Sequence, residues 1–242
     1  MLDTRPSPGV TFVIAHRGAS RVERENTMAA FRTAAELGAD MVELDVRRSA
    51  DGILVVHHDA HLEDGRAVSS TAAADLPGWL PTLEAALAGR AGMAVNIEIK
   101  NDPADAGFEP DRVLADEVAA VVTAQGDTDR VLVSSFDRPS LDRLRAVADP
   151  PIATAWLVTV PPVDVVGTLV AGGLQALHPW WQAVDRSLVE SCHAAGLAVN
   201  VWTCDDPDAM ARLAGWGVDG ICTNVPDVAV AVLRNRAGTP GP

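Results

Sequence analysis

Short apolar stretches recur along the chain and alternate with longer stretches in which apolar residues follow helical spacing. The short stretches have the length and the Val, Ile, Leu and Ala content of buried strands. The longer ones carry apolar residues three and four positions apart, and many begin with Asp, Ser, Thr or Pro. The predicted strands are 11–16, 41–47, 94–100, 131–136, 152–158, 174–178, 198–204 and 220–223, and the predicted helices include 27–37, 82–88, 111–124, 140–147, 185–195 and 207–213. Alternating strands and helices predict a parallel sheet, and eight strands predict its closure into a (β/α)8 barrel, also called a TIM barrel.

One further strand-like stretch, 53–58, falls outside this alternation. It follows the turn pair Asp51-Gly52 a few residues after the second strand, which predicts the return arm of a hairpin. We therefore predict a single barrel domain over residues 1–242, with an insertion at about 48–81 after the second strand and a disordered tail at 237–242.

Length and charge narrow the class of protein. The 242 residues match one (β/α)8 barrel, which takes about 250. A formal net charge of −14, from 19 basic and 33 acidic residues, argues against nucleic acid or anionic membrane as a partner. No apolar run reaches the roughly 20 residues of a membrane span, and the N-terminus lacks the pattern of a secretory signal. We expect a cytoplasmic protein without stable membrane association, whose cysteines, Cys192, Cys204 and Cys222, are inert thiols.

Charged residues interrupt two of the predicted strands at alternate positions. Glu43 and Asp45 lie two apart in MVELDVR, as do Glu98 and Lys100 in NIEIK, so each pair shares one face of its strand. Burying such charges unpaired is costly, so they must meet each other, a metal or a substrate. We expect all four near the last residues of their strands, at the end of the barrel that carries active sites.

The three carboxylates at this end would repel one another by several kcal/mol per pair at about 4 Å. A divalent cation removes the repulsion, and an all-oxygen donor set favours Mg²⁺ or Ca²⁺ over Zn²⁺. Salt bridges with Arg17, Arg47 or Lys100 are the alternative explanation for these acids.

Two histidines end strand-like stretches, His16 after the first strand and His58 after the hairpin arm. Beside a metal, such a pair fits general acid/base chemistry at neutral pH, although either residue alone is more often an ordinary polar side chain. His57 should face away from His58. The other histidines, His61, His178 and His193, are expected at the surface or rim, with His178 the one nearest the pocket.

Lysine occurs once in the chain, at Lys100, whereas 18 of the 19 basic residues are arginine. A position that keeps lysine in such a sequence favours a site that needs a compact ammonium. A Schiff-base lyase is one alternative reading of a lysine on a barrel strand, tested by borohydride trapping.

Seven segments occur in an order that resembles the glycerophosphodiester phosphodiesterase family: IAHRGAS, ENTMAAF, MVELDVRRSADGILVVHHD, LPTLEAAL, NIEIK, VNVWT and GICTNVPD, within residues 14–227. The resemblance implies a (β/α)8 barrel with a small insertion after the second strand. It also implies one divalent cation, Mg²⁺ or Ca²⁺, held by Glu43, Asp45 and Glu98, and an acid/base pair formed by His16 and His58.

The same resemblance implies that Arg17 and Lys100 hold the phosphate and that Trp202 lines the pocket near the glycerol. The implied reaction is metal-dependent hydrolysis of a small glycerophosphodiester to sn-glycerol 3-phosphate and an alcohol. The alternatives are a catalytically inactive barrel that only binds phosphodiesters, or a related sphingomyelinase or lysophospholipase D type of enzyme. The insertion sequence LEDGRAVSS departs from the family pattern, so the alcohol is not specified.

Overall fold

The computed structural model describes residues 9–236, in which eight parallel strands close into a barrel. With the antiparallel strand β3, which lies outside the ring, the described residues form nine strands: β1 Phe12–Ala15, β2 Met41–Arg48, β3 Leu54–Val56, β4 Ala94–Ile99, β5 Val131–Ser135, β6 Ala153–Val158, β7 Ala176–Pro179, β8 Ala198–Val201 and β9 Gly220–Thr223. The ring runs β1-β9-β8-β7-β6-β5-β4-β2, and pairing of β1 with β2 closes it. The predicted (β/α)8 barrel is confirmed. The predicted disordered tail at 237–242 lies outside the described residues.

Helices follow the barrel strands and cover their outer faces. They are α1 Met28–Glu36, α2 Leu83–Ala88, α3 Val113–Gln125, α4 Arg138–Val147, α5 Val165–Gly172, α6 Arg186–Ala194, α7 Pro207–Trp216 and α8 Pro226–Arg236. Neither α5 nor α8 is among the predicted helices; α5 is apolar at almost every position and shows no contrast at helical spacing. None of these helices, within residues 9–236, has the length and apolar content to cross a bilayer.

The barrel interior changes from apolar to polar along the strand direction. Small apolar side chains fill its lower part and pack as one cluster: Leu132, Ala153, Ala155, Ala176 and Ala198. Two residues further along their strands, the inward positions of Leu132, Ala176 and Ala198 become polar, as the alternation of a strand requires. The polar side chains therefore gather at the carboxyl end of the barrel.

The register of the strands decides which charged residues reach this end. Ala15, the last residue of β1, pairs with Val42 of β2. Glu43 therefore lies one residue beyond the level at which β1 ends. The expectation that Glu43 lies near the last residues of its strand is wrong, because β2 continues five residues past it to pair with β3. Glu43 nevertheless borders the open end, since its neighbour β1 is short.

The insertion after β2 begins with β3, which runs antiparallel to β2 with Val46 opposite Val56. This pairing confirms the predicted hairpin, although the strand is shorter than 53–58. The backbone N–H of His57 donates to the carbonyl of Asp45 at 3.0 Å, and the Arg47 Nε donates to the carbonyl of His58 at 2.8 Å. The hairpin therefore carries His58 to the barrel mouth next to β2.

A tight turn after β1 depends on Gly18. Its φ is +83°, and a Cβ at this position would lie 2.7 Å from the Cβ and carbonyl carbon of Ala30 in α1. The amide of Ala19 donates to the carbonyl of Ala30 at 3.0 Å, so the turn is seated directly on the helix. Only glycine fits both the left-handed backbone and the close approach.

Gly18→Ala is expected to lower the free energy of unfolding by about 3 kcal/mol, from left-handed strain plus overpacking. Urea unfolding followed by circular dichroism measures the loss. Gly65→Ala is the matched control, because Gly65 has a φ of +86° but no atom within 4 Å of the added Cβ, so only about 1 kcal/mol of strain is expected. Equal losses in the two variants would contradict the packing argument.

Candidate active site

Three carboxylates from two adjacent strands meet at the barrel mouth. One oxygen from each of Glu43, Asp45 and Glu98 lies within 4.8 Å of those of the other two. Asp45 is level with Glu98 in the parallel pairing of β2 and β4, which brings the two side chains together. These three acids were predicted to converge, and the structure places them in one cluster.

Two cations lie against this cluster. The Lys100 Nζ is 2.8 Å from Glu98 Oε1 and 3.3 Å from Asp45 Oδ1, and the Arg17 Nε is 3.4 Å from Asp45 Oδ2. The Arg17 backbone N–H also donates to Glu43 Oε2 at 2.8 Å. Arg47, the third cation that was considered for these acids, instead pairs with Asp105 at 2.7 Å.

The cluster is only partly neutralised by these two cations. Burial, together with the charges of Asp45 and Glu98, raises the pKa of Glu43 well above its usual value. Burial also raises the pKa of Glu98. At Asp45 burial acts in the same direction, but Lys100 and Arg17 outweigh it and hold its pKa well below the usual value. One carboxylate is thus left without a matching positive charge.

The oxygens of the cluster fit a divalent cation. Glu43 Oε1 is buried and has no hydrogen-bond partner among the described residues, and Asp45 Oδ1, also buried, has only the Lys100 ammonium at 3.3 Å. A buried acceptor without a donor is costly, and a bound cation would satisfy Glu43 Oε1 and share Asp45 Oδ1 with Lys100. The donor set contains only carboxylate oxygens, which suits Mg²⁺ or Ca²⁺.

The two histidines border the same cavity, and each is anchored through its Nδ1. His16 Nδ1 lies 2.7 Å from Asn224 Oδ1, and His58 Nδ1 lies 2.6 Å from Asp59 Oδ1. Burial lowers the pKa of both rings, and Arg17 adds to the shift at His16. At His58 the charge of Asp45 opposes the effect of burial but does not outweigh it. Both rings are therefore inclined to be neutral near pH 7.

The cavity at the barrel mouth has about 590 Å³ of empty space, part of it open to solvent. Phe136 and Trp202 form its aromatic wall, with ring centroids 5.4 Å apart at 90°. The Trp202 Nε1 donates to the carbonyl of His178 at 2.8 Å, which fixes the indole. All the predicted site residues except Asp45 line this cavity: His16, Arg17, Glu43, His58, Glu98, Lys100 and Trp202.

The floor of the cavity contains polar residues that are not among the predicted site residues. His178 was expected at the surface or rim, and this expectation is wrong, because its side chain points into the barrel and only 3% of the residue is exposed. It contacts Asn200, with 2.9 Å between Nε2 and Nδ2, and burial lowers the pKa of His178 to about 3. The Oδ1 atoms of Asn96 and Asn200 are buried without a partner in the described residues.

Asn26 is a second residue that sequence reasoning missed. Its Nδ2 donates to Asp45 Oδ2 at 2.8 Å, and its backbone has a φ of 56°, in the left-handed region that asparagine tolerates. Its neighbour Glu25 pairs with Arg17 at 2.9 Å. The sequence feature that could have identified Asn26 is the Glu-Asn-Thr triplet before α1. Thr27 caps this helix, whereas Asn26 has no role in the helix and is free to serve the site.

The remaining histidines and the cysteines lie where they add no reactive group to the cluster. His57 faces Trp79, away from His58, as predicted. His61 is exposed, and His193 pairs with Asp219 at 2.8 Å. The three cysteines are free and buried. Of these thiols Cys222 lines the cavity, and burial raises its pKa well above the usual value.

The chain is similar to proteins of one family along almost its whole length. The profile of the glycerophosphoryl diester phosphodiesterase family matches residues 16–228. A glycerophosphodiester phosphodiesterase of Caldanaerobacter subterraneus is 32% identical over 246 residues, and the match covers 93% of this chain and 98% of that protein.

Solved structures agree with the sequence match. The structure of an Oleispira antarctica phosphodiesterase in complex with the product sn-glycerol-3-phosphate has a TM-score of 0.80 and 27% identity, covering 93% of this chain and 97% of that one. A glycerophosphodiester phosphodiesterase from Parabacteroides distasonis has a TM-score of 0.83 and 27% identity, covering 96% and 100%. With the site motifs, the barrel and these matches in agreement, the chain belongs to the glycerophosphoryl diester phosphodiesterase family.

Proposed function

We propose that this protein hydrolyses glycerophosphodiesters to sn-glycerol 3-phosphate and an alcohol at the barrel mouth, with one divalent cation and the His16/His58 pair. One observation carries the proposal: two histidines, two cations and two carboxylates, from Glu43 and Glu98, border one cavity, and Asp45 completes the carboxylate cluster beside it. The product bound to the Oleispira antarctica relative supports this substrate class.

The charge of the site supports an anionic substrate. The carboxylates of Glu43, Asp45 and Glu98 carry three negative charges when ionised, and Arg17 and Lys100 carry two positive ones, which leaves one negative charge. A divalent cation on the three carboxylates reverses the sign to one positive charge. When bound, the ion acts as a Lewis acid that stabilises charge on the phosphoryl oxygens. Arg17 and Lys100 then hold the phosphate from the side of the cluster that they already occupy.

His16 and His58 divide the proton transfers between them. His16, whose pKa is lowered by burial and by Arg17, is neutral and accepts the proton of the attacking oxygen. His58 must be in its charged form to donate a proton to the leaving alcohol, and Asp45 and the hydrogen bond to Asp59 favour that form against the effect of burial. Between turnovers His16 releases the proton it gained to water and His58 takes up a proton from water, so the cycle balances.

The aromatic wall and the polar floor suit a small polyol. Trp202 and Phe136 offer apolar surface to the carbon chain of the glycerol, while Asn96 and Asn200 present acceptor oxygens deeper in the cavity. This wall and floor belong to the same cavity as the histidines, so the glycerol and phosphate parts of one substrate fit side by side.

The alternatives have weaker support. A Schiff-base lyase needs an unprotonated lysine, but Asp45 and Glu98 outweigh burial at Lys100 and raise its pKa. An inactive binding barrel has no use for a complete acid/base pair beside a carboxylate triad. Including sphingomyelin and a lysophospholipid in the substrate panel tests the third alternative. We expect no turnover of either lipid.

Removal of divalent cations is expected to abolish turnover of a glycerophosphodiester panel, and Mg²⁺ or Ca²⁺ to restore it. The melting temperature gives an independent readout, since a cation at 100 times its Kd stabilises the fold by about 2.7 kcal/mol. In Glu43→Gln this stabilisation should be much reduced. Full activity after dialysis against excess EDTA would contradict the metal assignment.

His58→Ala is expected to lose on the order of 10² to 10⁴ in kcat on a glycerophosphodiester with an ordinary alcohol as the leaving group. It should lose far less on a substrate whose leaving group is very acidic, because that alcohol departs without a proton. His16→Ala is the matched comparison and should lose equally on both substrates. Equal losses in His58→Ala would argue against its role as the acid.

The pH profile gives a second readout of the same variants. The base must be neutral, so kcat/KM falls as pH drops through the pKa of His16, which lies below the usual 6.5. His58→Ala should keep this acid limb. An acid limb that moves above pH 6.5, or that disappears with His58, would reverse the assignment of the two rings.

Lys100→Arg is expected to keep the fold but lose at least about tenfold in kcat/KM, roughly 1.4 kcal/mol of transition-state stabilisation. The guanidinium is wider than the ammonium and would crowd Glu98 and Asp45, which Lys100 now contacts at 2.8 and 3.3 Å. Arg143→Lys, in a surface pair with Asp116, is the control and should be silent. Near-native turnover in Lys100→Arg, with an unchanged melting temperature, would contradict the prediction.

A further inference from the structure

A chain of hydrogen bonds leads from His16 to the opposite end of the sequence. His16 Nδ1 lies 2.7 Å from Asn224 Oδ1, and Asn224 Nδ2 donates to Asp205 Oδ2 at 2.7 Å. His16 and Asn224 are 208 residues apart but directly follow β1 and β9, whose last residues, Ala15 and Thr223, are paired. The contact therefore exists only because these two strands meet in the closed barrel.

The donors and acceptors along this chain allow one arrangement only. A carboxylate can only accept, so the amide NH₂ group of Asn224 must face Asp205 and its Oδ1 must face His16. Oδ1 also only accepts, so His16 Nδ1 must carry a hydrogen. In the neutral ring the Nε2 is then the unprotonated, basic nitrogen.

Asp205 is itself held in place. Its Oδ1 accepts from the Thr223 hydroxyl at 2.9 Å and from the backbone N–H of Asn224 at 2.8 Å. Burial opposes ionisation of Asp205, but the hydrogen bonds from Asn224 and Thr223 outweigh it and lower its pKa. The carboxylate therefore stays ionised near neutral pH and remains an acceptor for the Asn224 amide.

A further donor strengthens the orientation of the amide. The Ser20 hydroxyl donates to Asn224 Oδ1 at 3.0 Å, on the same atom that receives the His16 N–H. A flipped amide would turn its NH₂ group toward His16 and its oxygen toward the Asp205 carboxylate, losing the bond to Asp205. The observed orientation is therefore the stable one.

We propose that Asn224 is a positioning residue that holds His16 in the Nδ1-protonated tautomer, and that Asp205 fixes the orientation of the Asn224 amide. The inference rests on the proposed function, in which His16 accepts a proton during hydrolysis. Asn224 does not bind the substrate in this scheme and acts only through the ring of His16.

The first test compares turnover by the full-length, metal-loaded enzyme on a glycerophosphodiester. Asn224→Ala is expected to lower kcat by about 10- to 100-fold while KM changes less than about threefold, the size of loss seen when a partner that orients a functional histidine is removed. Asp205→Ala should lose less, because the amide of Asn224 is still present but free to turn.

A charge-swap variant tests whether the chain of hydrogen bonds itself matters. Asn224→Asp alone sets a carboxylate against Asp205 and should be impaired. Combined with Asp205→Asn, it reproduces every bond: the new amide donates to the new carboxylate, which still accepts from His16 and Ser20. We expect the double variant to recover kcat to within about fivefold of wild type.

The matched control is Asp206→Ala. Asp206 lies in the same loop and caps α7 by accepting from the Ala209 N–H at 2.8 Å, without contacting His16. Its removal should cost about 1 kcal/mol of stability and lower the melting temperature while leaving kcat unchanged. A loss of kcat in Asp206→Ala as large as that in Asn224→Ala would mean that loop stability, not orientation of His16, explains the effect.

A spectroscopic readout is independent of turnover. In protein labelled with ¹⁵N-histidine, neutral His16, assigned by its absence in His16→Ala, should carry its proton on Nδ1, and Asn224→Ala should shift it toward a mixture of tautomers. An Nε2-protonated wild-type ring, or normal kcat in Asn224→Ala, would overturn the inference. Wild-type enzyme that cleaves no glycerophosphodiester in the panel would instead refute the proposed function and, with it, the role of Asn224.

Discussion

Three buried carboxylates at one end of the barrel are the constraint on which the rest of the site depends. Glu43, Asp45 and Glu98 have been removed from water at a mutual distance that makes them repel. Arg17 and Lys100 offset part of this cost, and the remaining negative charge is what suits the site to a divalent cation. In the proposed function the same imbalance favours the substrate, because the cluster with a divalent cation would carry a positive charge that an anionic phosphodiester neutralises.

The barrel limits the free-energy cost of the buried charges by placing the polar layer at its carboxyl end, above a lower layer of apolar side chains. The small side chains of the lower interior, such as Ala153 and Ala176, pack without polar atoms, while the outer faces of the strands pack against helices. Rigid parallel strands therefore hold the acids, and loops supply the groups that must face the substrate. His16 follows a strand, and His58 lies in the insertion, attached to β2 by backbone hydrogen bonds.

Each functional histidine is anchored through the same ring atom but by partners of different exposure. His16 is tied to Asn224 in a relay with several donors, whereas His58 is tied to Asp59, whose side chain is 74% exposed. In the proposed function, an anchor fixed by several hydrogen bonds suits a ring that must present one defined basic nitrogen, and a single solvated anchor suits a ring that must regain its proton from water. The proposed division into base and acid rests on this difference between the two anchors.

Local sequence patterns determined the elements of this protein, and closure of the barrel decided what those elements bring together. Period-two alternation in MVELDVR and NIEIK was enough to predict that Glu43, Asp45 and Glu98 share an inward face, because strand geometry is a property of neighbouring residues. The alternation of strand and helix was enough to predict the barrel, although an all-apolar helix such as α5 left no visible period. Glu43 lies early in its strand and borders the open end only because the neighbouring strand β1 ends at Ala15, level with Val42.

The tertiary structure decided the contacts between residues far apart in the chain. The burial of His178 in the cavity floor and the bond from Asn224 to His16 follow from strand register and ring closure, which depend on all eight strands at once. A histidine or an asparagine at the end of a strand has the same kind of sequence neighbours whether its side chain faces solvent or the barrel interior. Only the packed barrel distinguishes the two, because burial and pairing are properties of the neighbours that folding supplies.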